Sequence, residues 1–107
     1  MAIIRNAKGS PLYPVGKMKV SEDTSFVAGD SPVVIDVNDA LGVNGDNGYI
    51  VVDGAGDILV EISHVGTSYL SQFTMKSGEV FSLQGMDVDT IRLTHSGTDS
   101  KYRVNAF

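Results

Sequence analysis

From residue 29 onward, turn-forming clusters break the chain so often that no long helix fits between them. They fall at residues 29–32, 38–48, 53–56, 64–67, 76–78 and 96–99 and are built largely from Gly, Asn, Asp, Ser and Pro. Gly supplies positive φ, Asn and Asp bond their own backbone, and Pro presets φ, so each cluster marks a reversal of the chain. The runs between them are short, and most alternate. In DILVEIS, Ile58, Val60 and Ile62 share one face, while Leu59, Glu61 and Ser63 share the other. YLSQFTM groups Tyr69, Phe73 and Met75; EVFSL groups Phe81 and Leu83; IRLTH sets Ile91 and Leu93 against Arg92 and Thr94. The last run sets Tyr102, Val104 and Ala106 against Lys101, Arg103 and Asn105. A period of two is the mark of half-buried strands. No window carries a 3.6-residue stripe, and NDALG has room for one helical turn. Seven or eight short strands at this spacing predict an all-β fold, an antiparallel β-sandwich or jelly roll.

Local turn chemistry suggests which strands are neighbours. The Gly-rich stretch Asp53-Gly54-Ala55-Gly56 reads as a hairpin connection between GYIVV and DILVEIS. Residues 96–99 read as the turn that pairs residues 101–107 with residues 91–95. With no long crossover in the chain, hairpins are expected to dominate.

At 107 residues the expectation is one domain, spanning 20–107. Ahead of it, residues 1–19 read as an extended basic arm. Residues 6–16 hold two of the three prolines and two glycines, which suits extended backbone and not a central strand. Residues 17–20 read as a short edge strand and residues 21–32 as loop.

Charge is segregated along the chain. Arg5, Lys8, Lys17 and Lys19 lie in the first 20 residues without a single acid, whereas all 13 acids lie beyond them. An acidic body repels phosphate, so nucleic acid is not an expected partner. The basic arm can meet an acidic surface, its own or a neighbour's. No apolar run approaches the roughly 20 residues that span a bilayer, so no membrane contact is expected. MAIIRNAKGS lacks the apolar stretch of a secretory signal, which predicts a protein made and kept inside a cell or on a particle assembled there. There is no Cys, hence no disulfide and no thiolate chemistry.

Chemistry-bearing residues are sparse. His64 and His95 are the two histidines, each flanked by a serine. Adjacent residues on a strand point to opposite faces, so Ser63 with His64, or His95 with Ser96, makes no nucleophile–base pair. The expectation is no catalytic residue and no enzyme. Residues 44–48 and 53–57 look like fragments of calcium loops but lack the alternating acidic ladder and the closing Glu. They read as β-turns, with no metal and no cofactor expected. The aromatic residues fall mainly at strand-face positions, which favours packing over a glycan platform.

GYIVV is apolar on both faces. With Tyr49 and Val51 assigned to the core, Ile50 and Val52 need cover from the arm or a second subunit. The expected core is Val33, Ile35, Tyr49, Val51, Ile58, Val60, Ile62, Phe73, Phe81, Leu83, Ile91, Leu93, Tyr102 and Val104. Phe107 shares the parity of Lys101 and Arg103, so it is expected outside this core. The candidate assembly residues are therefore Arg5, Lys8, Tyr13, Lys17, Lys19, Ile50, Val52 and Phe107.

The last third of the chain has further detail: Gly78-Glu79 opening a strand, Leu83 and Gly85 at a turn, Ile91-Arg92-Leu93, Gly97-Thr98-Asp99, then Tyr102-Arg103-Val104. In this it resembles small β-sandwich structural proteins of tailed bacteriophages, of the head decoration or cement type. The resemblance implies a virion protein on the capsid surface, a homo-oligomer, most often a trimer, with the major capsid protein as partner. It carries no catalytic residue. A tail or fibre module and a carbohydrate-binding sandwich are the alternatives.

Overall fold

A computed structural model describes residues 17–107. Eight strands form in chain order: β1 (Lys19–Phe26), β2 (Val33–Asp36), β3 (Gly48–Val52), β4 (Ile58–Ser63), β5 (Tyr69–Met75), β6 (Val80–Ser82), β7 (Thr90–His95) and β8 (Ser100–Ala106). They make two four-stranded antiparallel sheets, ordered β1-β8-β3-β6 and β2-β7-β4-β5. The pairs β1·β8, β2·β7, β3·β6 and β4·β5 are nested one inside the next. The chain is thus one long hairpin with its tip at residues 64–68, rolled so that alternate pairs fall in opposite sheets. This strand order is the jelly roll.

The nesting corrects the local pairings expected from the turns. Residues 53–57 carry the chain from β3 in one sheet to β4 in the other, and residues 96–99 carry it from β7 to β8 across the same gap. Only β4 and β5 form a true hairpin among the described residues. A Gly-rich cluster states that the chain reverses but not whether the next strand joins the same sheet. Here the glycines serve close packing. Asp53 N–H donates to Lys101 O at 3.1 Å and Gly56 N–H to Asp99 O at 3.1 Å, so the two crossings run against each other. A Cβ on Gly54 would overlap the backbone of Ser100 and Lys101, and one on Gly56 the backbone of Thr98.

Residues 21–26, expected as loop, belong to β1. The run KVSEDTSF has few apolar residues, and it is held as an edge strand by its ladder to β8. Its last residue, Phe26, is fully buried and meets Tyr102 edge-on at 5.2 Å between ring centroids. The expected helical turn is present as α1 (Val37–Leu41). The Asp36 carboxylate accepts from Asp39 N–H at 3.0 Å, and Gly42 closes the turn in the left-handed region.

The core lies between the sheets. Ile35, Ile58, Val60, Ile62, Leu83, Ile91, Leu93, Tyr102 and Val104 are buried as expected. Val33, Phe73 and Phe81 pack against it while partly exposed. Phe26, Val37, Met75, Val88 and Ala106 join it. On β3 the expected parity is reversed: Ile50 and Val52 are fully buried, Tyr49 is exposed and Val51 is half-buried. The register shows why. Ile50 stands between Val104 and Phe81, on the apolar side of both neighbours, whereas Tyr49 stands between Asn105 and Ser82.

Candidate functional site

The sheet β1-β8-β3-β6 turns one face to the core and the other outward. Successive rows of its outer face follow from the register. One row runs Val20, Asn105, Tyr49, Ser82; the next runs Glu22, Arg103, Val51, Val80. One step before the first row, Met18 and Phe107 flank the end of the sheet. Met18, Val20, Tyr49, Val80 and Phe107 are each more than two-fifths exposed, and Val80 reaches 65%. Scattered exposed apolar residues are ordinary, whereas several on one sheet face mark a contact surface. Within the second row Arg103 Nε lies 3.6 Å from the Asp53 carboxylate.

The strand that ends the chain is central to this face. β8 pairs with β1 on one side and β3 on the other, and with β7 on neither. Tyr102, Val104 and Ala106 point inward and are buried, as their alternation predicts. Phe107 is 42% exposed, outside the core as expected. Its backbone is tied down: Phe107 N–H donates to Asn47 O at 3.1 Å, and Phe107 O accepts from Asp46 N–H at 3.0 Å and Asn47 N–H at 3.1 Å.

The candidate assembly residues therefore separate. Phe107 and the exposed Lys17 lie at the α1 end of this sheet, with the half-buried Lys19 opening β1. Ile50 and Val52 are core residues and leave the surface set; Tyr49 and Val51 take their place. Arg5, Lys8 and Tyr13, with most of the proposed arm, lie outside the described residues.

The outer face of the opposite sheet is more polar, although Val34 is exposed on it and Leu70 at its edge. Arg92 on β7 donates to Glu61 on β4 through Nε (2.9 Å) and Nη2 (2.8 Å), a two-pronged ion pair between directly opposed residues. The Arg92 guanidinium also sits 4.2 Å above the Tyr69 ring. Tyr69 reaches this face because β5 has an extra residue there: Ser71 pairs with Ile62 and Tyr69 with Ser63, leaving Leu70 out of the ladder. Sequence alternation, which grouped Tyr69 with Phe73 and Met75, missed this flip because a bulge leaves no mark in a period-two pattern. A sugar-binding platform needs an open ring face, and Arg92 covers one face of Tyr69. Burial pushes the Tyr69 hydroxyl above its ordinary range. The hydrogen bond from Arg92 holds the Glu61 carboxyl below its ordinary value. A carboxyl lowered in the folded state adds stability above its unfolded pKa, and that stability is lost as pH falls through the folded value. The stability advantage of wild type over Glu61→Gln is accordingly expected to shrink as pH drops below the ordinary carboxylate range. Melting curves from neutral to acid pH check it; an advantage that stays constant into acid means that Glu61 contributes through packing alone.

At the two ends of the sandwich, polar side chains serve the loops. Gly97 N–H donates to His95 Nδ1 at 3.1 Å, which places the ring proton on Nε2, 3.0 Å from the Asp99 carboxylate. Both nitrogens of His95 are thereby engaged, and Ser96 Oγ donates to Asp57 O. His64 Nδ1 bonds the Asp87 carbonyl, beside Asn44, whose amide spans His64 O and Asp87 Oδ1 at 3.0 Å each. Neither histidine has a serine hydroxyl on its ring among the described hydrogen bonds. In the loops that resembled calcium sites, Asn47 Oδ1 accepts from Gly48 N–H at 2.8 Å, while Asp53 pairs with Arg103 and Asp57 with Lys76. No group of three or more His, Asp or Glu side chains among the described residues is placed to hold a metal ion. No described helix is long and apolar enough to cross a membrane.

Comparison with protein-family models, with curated proteins and with solved structures found no match for this chain.

Proposed function

We propose that this chain is a structural subunit of a virus particle, a decoration protein of the tailed-phage head that works by contact alone. The observation that carries the reading is the set of outward apolar residues Val20 and Tyr49, Val80 in the adjacent row, and Met18 and Phe107 at the end of the sheet, on a jelly-roll sheet whose other face is already filled by its own core. The resemblance in the last third, which covers β6, β7 and β8, supplies the setting. Its partners are then the major capsid protein and further copies of itself, and its location is the capsid surface. The mechanism is passive. Apolar area removed from water stabilises the assembled shell at about 25 cal/mol per Å², and a subunit that binds only the assembled lattice shifts the equilibrium toward it.

Co-sedimentation with phage heads assembled without this protein tests the reading. The wild-type chain is expected to bind saturably. Tyr49→Asp combined with Val80→Asp is expected to fold normally, since both side chains already face water, and to lose binding. Heads that fail to bind the wild-type chain, or that bind the double variant equally well, overturn the proposal.

A further inference from the structure

Four strands end the two sheets, and three of them are guarded against pairing with another chain. β1 carries Lys19, Glu22 and Asp23; β2 carries Asp36; β6 is three residues long and follows Glu79. Short length and charge are the usual ways in which an edge is blunted. β5 differs. Its seven residues, Tyr-Leu-Ser-Gln-Phe-Thr-Met, include no acid, Lys, Arg, His, Pro or Gly. It is the outermost strand of β2-β7-β4-β5 among the described residues. Its bulge lies at Leu70, at one end, so residues 71–75 pair regularly with β4.

Beside this edge the sandwich is incompletely closed. A cleft of about 130 Å³ is lined by Phe73, Thr74 and Met75 of β5 and by Glu79, Val80 and Phe81 at β6. Phe73 and Phe81, each partly exposed, touch one another within its lining, with 4.5 Å between ring centroids. The edge thus offers both an unguarded strand and a place for an inward-pointing apolar side chain.

We infer that β5 is a dimerisation edge, on which β5 of a second copy adds antiparallel across a two-fold axis at Phe73. The occupant follows from the chemistry. The strand carries no charge, so an antiparallel pairing of β5 with a second copy of itself opposes no like charges in any register. With the axis at Phe73, the middle of the regular segment, Gln72 faces the second copy's Thr74, and Ser71 faces the second copy's Met75. Gln72 and Thr74 are both on the exposed face. On the inner face the second copy's Phe73 packs at the mouth of the cleft, against the touching rings of Phe73 and Phe81. Each copy has one such edge, so the contact closes as a pair and does not propagate.

This inference stands apart from the virion reading. A two-fold pair is a dimer, whereas the phage resemblance implies a trimer, so head binding and oligomeric state report on different claims. Sedimentation equilibrium of the purified chain from micromolar to millimolar concentration is the test. A monomer–dimer equilibrium is expected. Gln72→Lys together with Thr74→Lys puts two pairs of like charges across the axis and is expected to weaken dimerisation on the order of tenfold or more. Gln72→Glu together with Thr74→Lys makes the same two pairs attractive and is expected to dimerise at least as well as wild type. Because both positions are exposed, circular dichroism is expected to be unchanged in all three proteins. A monomer at every concentration, a trimer, or a double-lysine variant that dimerises like wild type overturns the inference.

Discussion

Gly48→Ala is expected to be the most damaging single-methyl substitution in the β-sandwich. Gly48 opens β3 with φ at +117°, a backbone conformation that an L side chain adopts only under strain. It also sits against β8, where an added Cβ would overlap the Asn105 carbonyl and crowd Ala106 Cα. Neither obstacle is the movable end of a side chain. Relief requires β3 to move off β8, the central pairing of its sheet. Strain at such a φ costs about 1–3 kcal/mol. With the backbone collision added, a loss of at least about 3 kcal/mol is expected, which lowers the melting temperature by roughly 12–24 °C in a domain of this size. Gly97→Ala separates the two terms. Its φ is +100° but nothing lies within 4 Å of the added Cβ, so it reports strain alone. Thermal denaturation of both variants is the measurement. If Gly48→Ala costs no more than Gly97→Ala, the close approach of β3 to β8 is wrong.

The elements were easier to read than their arrangement. Alternation in residues 58–63, 90–95 and 100–106 marks strands because each is polar on one face and apolar on the other, and the period then assigns the inward side chains. Phe107 was placed outside the core by the same count. Topology is a different kind of information. β1 and β8 are the sequence-distant outer members of the nested hairpin, and nothing local to KVSEDTSF, a largely polar run, says that Phe26 will reach Tyr102. Turn clusters likewise have the same composition whether they join neighbours or cross between sheets. The glycines at 54 and 56 were visible, but their reason, two crossings stacked backbone to backbone, is a tertiary fact. The polar cluster of Glu61, Arg92 and Tyr69 needed both the β4·β7 register and a bulge, so neither composition nor period could assemble it. Of the proposed contact surface, Phe107 was legible and Tyr49 was not, because β3 is apolar on both faces and its period cannot choose between them.

That ambiguity gives the second large effect its value. Assigning Ile50 and Val52 to a subunit contact predicts that truncating them leaves the isolated domain intact and weakens assembly. The structure makes the opposite prediction. Ile50 is fully buried between the sheets, paired with Val104 on one side and Phe81 on the other. Removing its outer carbons leaves a cavity that close-packed neighbours fill only in part. Ile50→Ala is therefore expected to cost about 2–5 kcal/mol of folding stability. Tyr49→Ala, the adjacent residue on the same strand, is expected to change stability by no more than about 0.5 kcal/mol, the usual range for surface substitutions away from special features. If the proposed function holds, its effect belongs to binding instead, because Tyr49 shares the exposed sheet face with Val20 and Val80. Urea denaturation of the two variants, with binding to phage heads measured on the same preparations below the unfolding transition, separates the roles. A domain that tolerates Ile50→Ala and unfolds with Tyr49→Ala would show β3 facing the other way, and the apolar face proposed as the contact surface would be lost with it.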